Sequence, residues 1–278
     1  FFQKQAAKTL SPLPAAHNRQ KQYLITEGMI VPPLVDLGVL TPDGRIVKAK
    51  YDKFKQINRF IEIIDDEVSN LNVEELNVID FGCGKSYLTF VVYYYLTEVM
   101  NLKVNMIGLD LKEDVIKKCN EAAKKYNYTN LKFEVGDVNG FKTPFDVDMV
   151  ITLHACDTAT DYALYNAIQW NAKMIFSVPC CQHEVNKTIK KGGDFDILLK
   201  HGLIKERMSA LLTDSIRAGI LEDMGYSVDV LEFVDFSHKP KNIMLRAKKT
   251  KKFTPIAVSL CRAVIAFTIT APKMKPCA

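Results

Sequence analysis

Two hydrophobic rhythms alternate along the middle of the chain. Short strand-like runs stand at 76–81 (LNVIDF), 104–111 (VNMIGLDL), 131–138 (LKFEVGDV), 147–155 (VDMVITLHA) and 172–179 (AKMIFSVP). Short runs of this kind, rich in Val and Ile, mark strands buried on both faces. Between them apolar positions recur every three or four residues, the period of a helix. That rhythm predicts helices over 86–100, from about 113 to 126, from about 158 onward and over 209–224. The last one stops before Gly225 and is followed by two more strands, at 226–235 and 241–248. Ahead of all this, Tyr51, Phe54, Ile57, Phe60, Ile61 and Ile64 fall on one side of a helix over 51–68, with Lys53, Lys55 and Arg59 on the other.

Strands that alternate with helices build a parallel, doubly wound sheet. The connection SHKPKN between the last two strands is too short for a parallel crossover, so that pair is expected to be antiparallel. The expected architecture is α/β: a Rossmann-like, mostly parallel sheet of about seven strands with an antiparallel terminal pair and an N-terminal helical extension. Residues 1–50, with turns near Pro12, Pro14, Pro32, Pro33 and TPDGR, form that extension, a candidate lid or substrate-binding region. Residues 51–250 form the catalytic-type domain, and 251–278 a tail. The tail is apolar but interrupted by Arg262, and it falls short of the ~20 apolar residues that span a bilayer.

Charge and cysteines narrow the setting. Lys and Arg total 37 against 32 Asp and Glu, a net charge of +5, which permits a polyanionic partner without requiring one. Seven cysteines without the dense, even spacing of a secreted scaffold point to reduced thiols and a cytoplasmic compartment. No membrane association and no DNA partner is expected.

The most informative stretch is VIDFGCGKSYL, where a strand runs through a glycine turn into a helix. Gly82 and Gly84 let the backbone approach a ligand closely, and the helix that follows points its amide-rich end at it. A P-loop would need its first glycine at position 79, which is Ile. A nicotinamide site would want a third glycine where Ser86 or Tyr87 stands. The reading that fits is S-adenosylmethionine (SAM). Asp80 precedes Gly82 by two residues, Asp110 ends strand two, and Asp137, with Val138 beside it, follows strand three. Three carboxylates at three consecutive strand ends converge on the carboxyl edge of the sheet. Asp110 is placed for the ribose hydroxyls, Asp137 for the adenine amino group and Lys85 for the methionine carboxylate. Cys83 reads as a small packed residue rather than a nucleophile.

These residues resemble a class I SAM-dependent methyltransferase. LHACDTATDYAL after strand four and VPCCQHE after strand five resemble a methyltransferase domain family shared with the tRNA ribose 2′-O-methyltransferases that act on the acceptor stem. Those enzymes carry a similar His-x-Cys-Gly-x-Ala-Thr-Asp segment and a later Cys-Cys-His. The resemblance covers roughly residues 50–247. Asp157 stands where those enzymes have Gly, Gln182 precedes His183, and no zinc module precedes the domain.

Methyl transfer from a sulfonium is an in-line displacement in which a nucleophile must be positioned and its proton managed. His154, with a side chain that titrates near neutrality, is a candidate proton acceptor or orienter. Asp157 shares its loop and is either a catalytic partner or a helix cap. Cys180 and Cys181 follow strand five and are either pocket-lining residues or, in a C5-pyrimidine mechanism, a nucleophile. A zinc site built from His154, Cys156, Cys180, Cys181 and His183 is the weaker alternative, because paired Cys-x-x-Cys spacing is lacking. No metal is expected. Gln182 and His183 are candidate substrate contacts, together with the basic residues Arg19, Lys21, Lys53 and Arg59. The expected function is methylation of RNA, at a ribose or base of tRNA or rRNA. The alternatives are a protein or small-molecule methyltransferase and a non-catalytic SAM-binding module that holds RNA or a ribosomal partner.

Overall fold

The computed structural model describes residues 23–153, 155, 158–179, 183–190, 196–232 and 243–250. Seven strands form one sheet: β1 (Glu75–Phe81), β2 (Lys103–Asp110), β3 (Leu131–Val135), β4 (Met149–Thr152), β5 (Met174–Ser177), β6 (Tyr226–Glu232) and β7 (Ile243–Lys249). Their spatial order is β3-β2-β1-β4-β5-β7-β6. β1 to β5 are mutually parallel, and β7 runs antiparallel to both β5 and β6. The expected sheet, including its antiparallel end, is the observed one. The order reverses between β1 and β4, and the carboxyl ends of such a switch point are where doubly wound sheets bind ligands.

Eight α-helices are described: α1 (Pro32–Asp36), α2 (Tyr51–Val68), α3 (Tyr87–Tyr94), α4 (Glu113–Lys125), α5 (Thr158–Gln169), α6 (Glu184–Thr188), α7 (Asp196–Leu199) and α8 (Gly202–Asp223). They divide between the two faces of the sheet. α2, α3 and α4 bury Phe54, Ile57, Leu88, Val91 and Ile116 against Val78, Met106, Phe133 and Met149. α5 and α8 bury Ala163, Leu164 and Leu221 against Ile79, Val150 and Ile175. The alternation of Val78 with Ile79 and of Met149 with Val150 follows from the period of two in a strand. Ile25, Val31, Leu34 and Leu40 are buried in the same cluster as α2 and β1, and the TPDGR turn closes a small antiparallel bridge between Leu40 and Ile46.

Several elements depart from the sequence reading for identifiable reasons. α8 begins at Gly202 rather than near 209, because residues 202–207 are mostly exposed and show no inward apolar stripe. The helix expected over 86–100 ends as α at Tyr94 and finishes in a π-helical turn over Tyr95–Val99, after which Asn101 takes a positive φ of 57°. Ser and Thr side chains compete for carbonyls inside helices, and Thr97 Oγ1 donates to the Tyr93 carbonyl at 2.9 Å. β3 passes to β4 through 136–148 without a helix. Phe141 covers part of that face and meets Phe81 edge-on at 6.4 Å.

Candidate functional site

β1 delivers the chain into the turn 82–86, which backbone conformation and hydrogen bonds fix. Gly82 and Gly84 take φ of 68° and 53°, and Ser86, which is not a glycine, takes 57°. The Gly82 and Cys83 amides both donate to the Leu109 carbonyl, at 2.9 and 3.1 Å, so the turn is tied to the end of β2. The Ser86 hydroxyl donates to the Gly84 carbonyl at 3.1 Å, and the Cys119 thiol donates to Ser86 Oγ at 3.4 Å. A left-handed serine costs about 1–2 kcal/mol, and these bonds offset it. A Cβ built on Gly84 meets no protein atom within 4 Å, so the outer side of this glycine is open.

Two carboxylates frame the turn in different surroundings. Asp110 at the end of β2 accepts the Gly84 amide on Oδ2 and the Lys112 amide on Oδ1, both at 3.0 Å. It is half-buried, and its carboxylate links the glycine turn to the loop that starts α4. Asp80, one pleat below, is buried and receives the Thr89 hydroxyl of α3 at 2.5 Å. Burial pushes its carboxyl up to about 7; the Thr89 bond opposes that rise and the Asp110 charge adds to it. Cys83 is buried, and burial pushes its thiol far above the ordinary range, which removes it as a nucleophile at neutral pH. Asp137 lies beyond β3, exposed, with Oδ1 accepting the Asn139 amide at 3.0 Å. Val138 is buried beside it, and its carbonyl accepts the Asn166 side chain of α5 at 2.6 Å. The structure thus brings Asp80, Gly82, Gly84, Asp110, Asp137 and Val138 to the carboxyl edge of β1, β2 and β3. Lys85 is at the tip of the same turn, exposed.

The loops that carry the remaining candidate residues leave from β4 and β5. Thr152 and Ser177 pair across these strands, so the two motif-bearing loops leave from neighbouring positions. His154, Asp157, Cys180, Cys181 and Gln182 fall outside the described residues, as do Arg19 and Lys21. What flanks them is defined. Ala155 is buried, and its carbonyl accepts the Thr160 hydroxyl at 2.5 Å, which ties the loop after β4 to the first turn of α5. In that same turn Asp161 accepts Arg217 Nε of α8 at 2.7 Å, and Arg217 also reaches Asp214 at 3.2 Å. His183 stands just before α6, exposed, and its carbonyl accepts the Lys187 amide at 3.1 Å. Among the described residues no group of three His, Cys, Asp or Glu side chains is arranged to hold a metal.

On the other side of the turn, α2 begins. Lys53 Nζ lies over the ring of Tyr87, the first residue of α3, 4.6 Å from its centre. That contact sets the N-terminal end of α2 beside the glycine turn, with Lys48, Lys50, Tyr51 and Lys55 exposed around it. Partial burial lowers the Lys53 ammonium from its usual value, and Lys50 adds to the lowering. Arg59 is not part of this cluster. It lies six residues on, about 9 Å down the helix axis, and pairs with Glu62 at 3.5 Å.

Sequence reasoning passed over three residues that shape the site. Gly108 of β2 packs under the turn, and a Cβ there would stand 2.5 Å from the Phe133 ring. A glycine inside an apolar strand was the available signal. Thr89 was legible only as one helical position among many. Cys119 carried no signal, because its partner Ser86 is 33 residues away.

A parallel switch-point sheet, an open glycine turn and acidic strand ends define a methyltransferase domain that uses SAM. Residues 52–188 match the family model described as a methyltransferase domain. The chain is 23% identical over 220 residues to the human "Glutathione S-transferase C-terminal domain-containing protein", covering 69% of this chain and 32% of that protein. It therefore spans about a third of the length of the curated relatives it matches. Among solved structures it resembles magnesium protoporphyrin IX methyltransferase from Synechocystis, with SAH bound, at a TM-score of 0.45 and 13% identity, over 75% of this chain and 90% of that one. It also resembles a SAM-dependent methyltransferase from Aquifex aeolicus at a TM-score of 0.37 and 16% identity, over 67% and 89%. No described helix is long and apolar enough to cross a membrane.

Proposed function

We propose that this domain methylates RNA, at a ribose hydroxyl or base of tRNA or rRNA, in the cytoplasm. The observation that carries the RNA reading is the basic end of α2. Lys48, Lys50, Lys53 and Lys55, with the exposed ring of Tyr51, stand beside the turn that holds the cofactor. Cations neutralise phosphates and an exposed aromatic ring stacks on an unpaired base, so this mixture suits a single-stranded or looped RNA. The likeness of HACDTATD and PCCQHE to segments of the tRNA acceptor-stem ribose methyltransferases supports the same class of acceptor.

The residues of the turn fit SAM on two counts. The open outer side of Gly84 leaves room for a ligand against bare backbone, and the Asp110 carboxylate retains lone pairs for a diol after accepting two amides. Bound SAM supplies an electrophilic methyl group on a sulfonium. Asp110 holds the ribose, Asp137 and Val138 border the adenine, and Lys85 faces the methionine carboxylate. His154 takes the proton of the attacking group, with Asp157 as its orienter. Cys180, Cys181, Gln182 and His183 line the acceptor pocket, and Arg19, Lys21 and Arg59 extend the phosphate contacts.

The test is incubation of the purified chain with methyl-labelled SAM and total cell lysate, followed by fractionation into RNA, protein and metabolites. Label in the RNA fraction that disappears with RNase is expected. Label confined to protein or to metabolites refutes the RNA reading and leaves the methyltransferase standing. Label that stays on SAM across lysates from several sources, with the cofactor bound, identifies a binding module instead.

A further inference from the structure

The face of α8 that looks away from the sheet is apolar where solvent would favour charge. Leu203 is 62% exposed, Leu211 52%, Ile204 42% and Leu212 39%, and on α7 Ile197 is 77% exposed. Leu198, Ile204, Met208, Leu211 and Leu212 line a groove of about 660 Å³ between α6, α7 and α8. Exposed apolar surface in one continuous strip marks an interaction site rather than a solvated helix. Neither the cofactor turn nor the basic end of α2 uses it: both are built on the carboxyl edge near β1, and the groove lies on α8's outer side.

We propose that residues 256–271 of this same chain occupy the groove. These sixteen residues, IAVSLCRAVIAFTITA, carry Arg262 as their one charge and are otherwise apolar or hydroxylic, which matches the strip they would cover. The path is the right length. Thr250 is fixed beside the base of α8, its amide and hydroxyl both donating to the Gly225 carbonyl at 2.9 and 3.0 Å. From the end of α8 at Asp223 back to Ser215, where the groove starts, is eight residues, about 12 Å of helix. Residues 251–255 reach about 17 Å when extended, enough to cover that distance. The groove then runs along α8 from Ser215 to Ile204, about 17 Å, and sixteen residues cover about 24 Å as a helix and more if extended. Charge agrees in the sequence: Lys251 and Lys252 follow Thr250, and Glu222 and Asp223 stand just ahead of the Gly225 to which Thr250 is bonded.

The test uses the full chain with the photoreactive residue p-benzoylphenylalanine in place of Leu211, and a control with it in place of Lys117 on the exposed side of α4. A mixture of isotope-labelled and unlabelled copies is irradiated and digested, and the joined peptides are sequenced by mass spectrometry. The expected result is a link from position 211 to residues within 256–271 of the same copy, at a yield independent of protein concentration and absent from the control. In the same photoreactive protein, Leu260→Asp with Val264→Asp is expected to cut that link at least tenfold while the far-ultraviolet dichroism of the domain is unchanged. A link joining labelled to unlabelled copies makes the groove a dimer surface and overturns the proposal. So does a link to any other part of the chain, or none at all, or a link that survives the two aspartates.

Discussion

A methyl group added at Gly84 and one added at Gly108 damage the protein in different ways. Gly84 has φ +53° with open space where the Cβ would go, so Gly84→Ala meets only the left-handed penalty of about 1 kcal/mol and fills the ligand's side of the turn. Gly108 has no such strain, but its Cβ would press on the Phe133 ring at 2.5 Å, an overpacking that costs about 1–3 kcal/mol. Calorimetric titration with SAM should show at least a tenfold loss of affinity in Gly84→Ala with a small fall in Tm. Gly108→Ala should show the larger fall in Tm. The reverse ranking would remove Gly84 from the cofactor's path. Asp80 makes a prediction of another kind. Its carboxyl titrates near 7 in the folded protein and near 3.8 when unfolded, so the folded state holds the extra proton between those values. Stability therefore falls as pH rises from about 4 to about 7, and the loss is complete above 7. Urea unfolding of Asp80→Asn should lack this decline, so that the variant gains on the parent between pH 5 and pH 8. A parallel decline in both proteins would place the titration elsewhere.

At the scale of elements, the clamp between α5 and α8 is the tie on which the acceptor side rests. Arg217 is buried, reaches Asp161 and Asp214, and so holds the turn of α5 whose Thr160 anchors the loop after β4. Replacing it with Met leaves the buried Asp214 carboxylate behind, and the part-exposed Asp161 beside it, a change that costs about 3–5 kcal/mol. Arg217→Lys keeps one charge and loses the fork, and should fall between. Urea denaturation of Arg217→Met, Arg217→Lys, Asp161→Asn and Arg217→Met combined with Asp161→Asn should give a double variant less unstable than the losses of its two single variants summed. Simple additivity would mean that the contact carries no coupling. None of this was legible in the sequence, where Asp161 and Arg217 are 56 positions apart. The sheet was legible because buried strands announce themselves by continuous Val and Ile, and because 82–86 follows one of them at once. The start of α8 was not, since a helix whose first turns face solvent shows no inward stripe, and its outward apolar side confuses the period further. The acid at each strand end could be read singly. That Asp110 would spend two acceptor sites on the Gly84 and Lys112 amides could not, because loop geometry decides it.

The whole molecule carries a net charge of +5, too small by itself to drive binding of a polyanion, so the distribution of charge has to do so. Around the start of α2 the cations gather next to the glycine turn. Elsewhere several are engaged with carboxylates: Arg246 with Asp229, Glu67 and Asp66, Lys248 with Glu67, Lys173 with Asp148 and Lys125 with Asp36. Near α2, Lys55 is paired with Asp52, an exposed contact that water screens and a phosphate can exchange. If this end of the molecule receives RNA, binding should weaken steeply with salt, because each phosphate contact releases a condensed counterion. Removing Lys48, Lys50 and Lys55 together by alanine should then lower the slope of log K against log salt by about 2, at roughly 0.7 per contact on single strands. SAM affinity should be unchanged, since all three side chains are exposed and Lys53, the one that touches Tyr87, is retained. Filter binding of labelled cellular RNA at a series of salt concentrations reads the slope, and calorimetry reads the cofactor. An unchanged slope with intact methyl transfer to RNA would move the phosphate contacts to another face. An altered SAM affinity would mean that the lysines act through the turn, and the basic end of α2 would then belong to cofactor binding.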